Sequence, residues 1–204
     1  MEPMAALKDD IRKHLPSYLT MPQKDALAKA FSTYPLLQTD YYISGKYRDE
    51  MLQGDCWRSL KIINFETQQK KNASGIILSN SCDIAPENNR DIPTNFVFSP
   101  VVKLSIYAER LEKSRIDRER IKARLDSIRR QEVTSAFYLP NVAGGLDDEY
   151  IAFLDTIHTM PTNALKIGTE NIKRFTLSMV GFYMFLFKLS VHFCRMGENV
   201  LREA

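Results

Sequence analysis

The side chains best suited to chemistry fall in two places. Cys82 and Asp83 adjoin one another in the polar run Ser79-Asn80-Ser81-Cys82-Asp83, and His158 closes an apolar segment much later in the chain. A thiol, an imidazole and a carboxylate can act as a nucleophile, its base and the group that orients the base, provided the fold brings the two loops together. Arg90 offers His158 a second role, because cleavage of RNA through its 2′-hydroxyl needs an acid–base group near neutrality and a cation at the phosphate. Cys82, Asp83, Arg90 and His158 are therefore the candidate catalytic residues. Each also has a structural reading: a packed thiol, an Asx turn after a strand, a backbone-capping histidine, and a surface pairing of Arg90 with Asp91 or Asp83.

Candidate binding residues surround them. Asn80, Ser81, Asn88 and Asn89 extend the polar loop, and Lys70 and Lys71 supply cations ahead of the strand expected at Gly75. Trp57, with Tyr41, Tyr42 and Tyr47, could stack bases while the arginines between Glu109 and Glu132 meet phosphates. That segment holds nine Lys or Arg against six Asp or Glu, so a solvated helix is the competing reading. Neither a Gly-rich phosphate loop, nor histidines paired at metal spacing, nor a dinucleotide fingerprint is present, and no cofactor is expected.

The elements that must position these residues follow from periodicity and turn signals. Residues 1–53 read as a helical extension, with two short helices between Met4 and Tyr34 and a tyrosine-rich connection after them. Strands are expected at Cys56–Phe65, Gly75–Asn80, Asn95–Leu104, Ser135–Leu139 and Tyr150–Asp155, each rich in β-branched or aromatic residues. Five short strands suggest a strongly bent sheet or small barrel over residues 54–168. A charged helical insertion over 106–131 interrupts it, with a thin apolar stripe and possible ion pairs Glu109–Lys113 and Asp126–Arg130.

Residues 169–204 read as an apolar C-terminal helix from about Asn171 to Arg202. Arg174, Ser178, Gly181, Lys188, His192, Arg195, Asn199 and Arg202 trace one polar stripe along it, expected to be its wetted edge. Lys188 in mid-helix would be costly in hydrocarbon, so no membrane span is expected. The apolar sides instead suggest a possible homodimer through this helix. Composition agrees with one folded domain: 204 residues, 44% hydrophobic and 26% charged, with a net charge of only +3. The basic start and apolar stretch of a secretory signal are absent, so a cytoplasmic protein with reduced cysteines is expected.

Gly54-Asp55-Cys56-Trp57, Gly75-Ile76-Ile77-Leu78-Ser79-Asn80, Phe96-Val97-Phe98-Ser99-Pro100-Val101 and Leu154-Asp155-Thr156-Ile157-His158 resemble, in order, strands of the MazF/PemK-like toxins. The resemblance implies an SH3-like β-barrel within an α+β chain. It also implies a relative of dimeric, metal-independent endoribonucleases that cut single-stranded RNA and are silenced by an antitoxin peptide. Two positions depart from the pattern: Ala73-Ser74-Gly75 stands where those enzymes carry a basic residue and a proline, and Val102 stands where they carry a hydroxyl. The expectation is a binding module of a bacterial toxin–antitoxin or defence-type system, with a protein partner or single-stranded RNA and without family-type cleavage. The alternatives are an endoribonuclease rebuilt around Cys82, Asp83, Arg90 and His158, and a structural subunit of a larger assembly.

Overall fold

A computed structural model describes residues 41–43, 45–64, 66–85, 87–88, 91–92, 94–142 and 145–193, together with Thr20, Met21 and Asp25. The expected N-terminal helices, and Asn89 and Arg90 of the candidate site, lie outside these residues. The strands are β1 (Tyr42–Ile43), β2 (Cys56–Ile63), β3 (Lys70–Ile77), β4 (Asn95–Lys103), β5 (Ala136–Leu139), β6 (Tyr150–Phe153), β7 (His158–Pro161) and β8 (Lys173–Leu177). The helices among the described residues are α1 (Ser81–Ile84), α2 (Leu104–Lys113), α3 (Arg118–Arg129) and α4 (Met179–Phe193).

The chain is α+β, and its strands form one antiparallel sheet in the order β1-β8-β2-β3-β4-β6-β5. The nine-residue β4 pairs with β3 along one edge, and along the other with β7 over its first half and β6 over its second. Among the described residues no strand pairing joins β5 back to β1, and the ladder there is open. The two ends of the order nevertheless touch through side chains. Tyr42 Oη donates to the Pro140 carbonyl at 3.0 Å, and the Tyr41 ring stacks on Phe137 with centroids 6.4 Å apart.

The pleat sorts apolar side chains into separate clusters. Cys56 and Ile76 enter one cluster while their neighbours Trp57 and Ile77 enter another, and Ile151 is separated in the same way from Tyr150 and Ala152. The first cluster receives Met184 and Phe185 of α4. The second, built on Trp57, Leu60, Phe96, Phe98 and Met160, is closed by Ile84 of α1. Gly75 is required where β3 crosses the second cluster, because a Cβ there would stand 2.5 Å from Phe98 and 2.9 Å from Leu60.

Several expectations change. The charged insertion is two helices, α2 and α3, broken at Arg115, whose φ is 59°. They lean on the sheet through Leu104, Ile121 and Ile128, as the thin stripe implies. Asp126 pairs with Arg129, and Arg130 with Glu132, in place of the expected Asp126–Arg130 pair; no ion pair joins Glu109 to Lys113. Residues 158–161 form a strand that periodicity did not indicate. Residues 173–177 are a strand as well, so the last helix starts at Met179.

Where it is described, the polar stripe is not a wetted edge, since Gly181 and Lys188 are buried; Arg195, Asn199 and Arg202 lie outside the described residues. Lys188 is 5% exposed and donates to the Gln131 carbonyl at 2.6 Å, while Met179, Phe187 and Phe193 face outward. Gln131 turns the chain from α3 into β5 with φ 57°, and its side chain bonds both the N–H and the C=O of Tyr138. Lys188 therefore ties α4 to that turn. Burial pulls its ammonium down to about 8, while the unfolded chain holds the proton to about 10.5. Between those values the unfolded state binds more protons, so stability must rise with pH. Relative to Lys188→Met, the parent should gain about 1–2 kcal/mol of unfolding free energy between about pH 8 and pH 10, measured by urea denaturation. Parallel curves for the two proteins would refute the buried amine.

Candidate functional site

The register sets where the predicted catalytic residues fall. Ile77 at the end of β3 and His158 at the start of β7 both pair with Phe98, from opposite sides of β4. The polar loop and the histidine therefore leave the sheet at one level, separated by two strand spacings, about 10 Å. His158 opens β7; the sequence had placed it at a strand's end. Its ring lies 5.7 Å from that of Phe98, and burial alone holds its imidazole below the ordinary value. Among the described residues, no hydrogen bond or ion pair joins this ring to Cys82 or to a carboxylate.

The polar loop has local structural duties. Asn80 Oδ1 accepts from the Cys82 N–H at 2.9 Å and caps α1. Ser81 Oγ accepts from the Gln53 N–H at 2.9 Å, Ser79 Oγ accepts from the Val97 N–H at 2.7 Å, and Asn88 Nδ2 donates to the Cys82 carbonyl. The single turn of α1 buries Ile84 and leaves Cys82 and Asp83 exposed. Lys70 and Lys71 pair with Ile63 and Ile62 at the far end of β3, about 20 Å or more from this loop. Trp57 is fully buried, so its ring is not offered to a base.

Two concave regions lie elsewhere. One is an open cleft of about 600 Å³ beside α3, lined by Arg120, Arg124, Ser127, Glu132, Thr134 and Ser135 among others. Arg120 and Arg124 sit one helical turn apart and make no ion pair among the described residues. Glu132, the cleft's acid, is held by Arg130 at 2.6 Å, a bond that keeps its carboxyl below the usual range. The neighbouring Arg129 is likewise committed, through a two-pronged bond to Glu149 that also receives the Tyr138 hydroxyl.

The second is a pocket of about 510 Å³ between the turn at 45–49 and the turn at 167–172, over β8. Beneath it lies a buried ion pair: Lys173 Nζ is 2.7 Å from Asp55 Oδ2, with side chains 9% and 0% exposed. Asp55 Oδ2 also accepts the Leu52 N–H at 2.8 Å. Lys173 lies 5.1 Å over the Trp57 ring and donates further to the Tyr47 carbonyl and, at 3.4 Å, to Thr176 Oγ1. Burial pushes the Asp55 carboxyl up despite the pull of Lys173. Asp55 Oδ1 and Trp57 Nε1 are buried with no hydrogen-bond partner among the described residues. The sequence reading used neither Asp55 nor Lys173. The available signal was an acid placed next to the apolar start of a strand, in Gly54-Asp55-Cys56-Trp57.

These features belong to an α+β chain built on an open antiparallel sheet, with two polar clefts and no three His, Cys, Asp or Glu side chains grouped as metal ligands among the described residues. No helix among those residues is long and apolar enough to cross a membrane. No protein-family model matches the chain, and no curated protein matches it.

Removing one member of the buried pair should be far worse than removing both. Lys173→Met leaves a carboxylate without its cation and should cost about 3–5 kcal/mol of unfolding free energy. Adding Asp55→Asn to that variant should restore most of the loss, because the amide keeps the shape without the charge. Equal stability of the single and double variants in urea melts would contradict the pairing.

Proposed function

We propose that this protein is a binding module that holds single-stranded RNA along α3 by its phosphates and does not cleave it. The observation that carries the reading is the pair Arg120 and Arg124, a turn apart on a cleft wall and free of ion pairs among the described residues, in a lining that also holds Ser127 on the same helix and Thr134 and Ser135 beyond it. Arginine forks suit phosphate oxygens, and nearby hydroxyls add neutral donors. The strand motifs that resemble the MazF/PemK-like toxins support a toxin–antitoxin or defence setting in the cytoplasm. The contacts of Tyr41 and Tyr42 with β5 support a near-closed relative of the SH3-like barrel. Against cleavage stand Ala73 and Val102 at the departing positions, and a His158 ring influenced by burial alone.

Binding is measured by fluorescence anisotropy of a labelled single-stranded RNA. Two phosphate contacts give a log–log salt slope of about −1.4, so affinity should fall roughly sevenfold between about 50 and about 200 mM salt. Arg120→Glu with Arg124→Glu should remove that part of the slope. A flat salt response, or unchanged binding by the double variant, overturns the RNA reading in favour of a protein partner. Fragments ending in cyclic phosphate, formed in chelator and lost in His158→Ala, would instead establish the rebuilt endoribonuclease.

A further inference from the structure

We propose that the pocket over β8 binds a small amphipathic organic monoanion, with Lys46 and Arg48 taking its acid group and Ile43, Ile167 and Ile172 its apolar body. The turn that carries the two cations is held in an unfavourable conformation. Gly45 adopts φ 80° freely, but Tyr47, which is not glycine, is held at φ 57°. What fixes that turn from beneath is Lys173, through the Tyr47 carbonyl. Lys173 in turn is placed by a desolvated bond to Asp55, next to two buried polar atoms that make no geometric hydrogen bond among the described residues. An ion pair that leaves buried groups unpaired is a poor way to gain stability. Local rules of this kind are broken together where a site must be shaped in advance of its ligand.

The chemistry of the opening defines the ligand. Its volume, about 510 Å³, lies within the range of small-molecule sites. Ile172 is 57% exposed there, an apolar wall largely open to solvent. Lys173 and Arg174 are already matched by Asp55 and Asp147. The remaining charges on the lining are Lys46, Arg48 and Asp49, which leave one positive charge in excess. That balance favours a single carboxylate or sulfonate over a cation, and over the polyanion assigned to α3.

The test uses Trp57, the chain's one tryptophan, which lies against the pocket. Octanoate, octyl phosphate and octylamine are titrated below their micelle-forming concentrations while Trp57 emission is followed. Octanoate should give a saturable change, octyl phosphate a weaker one, and octylamine none. Lys46→Glu with Arg48→Glu, on an exposed turn, should raise the octanoate dissociation constant about tenfold or more while RNA binding stays at the parental level. Ile172→Asp, which leaves both cations in place, should weaken octanoate as well. Equal response to octylamine, unchanged affinity in the double variant, or a response that never saturates would overturn the proposal.

Discussion

The desolvated bond between Lys173 and Asp55 ties together three separate stretches of this molecule. It joins the residue that opens β8 to the residue just before β2, and through Tyr47 it fixes the turn that follows β1. A charge pair at such a junction is costly unless its geometry is good and its remaining valences are filled. Here the ammonium is well supplied, with a carboxylate, a carbonyl and a hydroxyl about it, and lies over an indole face. The carboxylate is less so, and its second oxygen has no hydrogen-bond partner among the described residues. The result is a rigid floor with a residual electrostatic debt, which is how a pocket differs from a core.

The remainder of the fold separates apolar from polar work by simple alternation. Neighbours in β2, β3 and β6 send side chains to different clusters, so one sheet supports α4, α1 and the α2–α3 pair through distinct apolar contacts. The charged pair of helices docks through Leu104 and Ile128, with Tyr107 and Leu125 packed beside them. Its remaining length is left to solvent, and there arginines keep an open cleft. Lys188 shows the same economy in reverse, a single amine inside an apolar helix contact, pointed at the carbonyl of the left-handed residue Gln131.

What could be read from the sequence was local. Alternation and turn residues located β2, β4, β5 and β6 but only the last three residues of β3, which begins at Lys70 because its polar first half pairs with β2, where the sequence suggested a strand from Gly75; charge density located the helical insertion but not its division into α2 and α3. β7 was missed because His158, Thr159, Met160 and Pro161 neither alternate clearly nor avoid proline; its pairing with β4 is a tertiary effect. β8 was absorbed into the last helix because Phe175 and Leu177 continue an apolar run, whereas Cys56 and Trp57 on one side and Tyr42 on the other draw it into the sheet. The inward turn of Lys188 was illegible for a similar reason, since a helix apolar on most sides does not announce which side is buried. The polar loop at Ser79–Asp83 was visible, but its caps and backbone bonds are sufficient to account for its composition. Asp55 and Lys173 are far apart in the chain, and no short motif links them.

The most direct measurement is the hydrogen exchange of the Lys173 ammonium, followed by ¹⁵N NMR near neutral pH. An ammonium held by Asp55, Tyr47 and Thr176 beneath the pocket should give a resolved signal whose protons exchange much more slowly than those of the exposed Lys46. Exchange of Lys173 at the rate of Lys46 would mean that the pair is open to water, and the rigid floor on which this account stands would not exist.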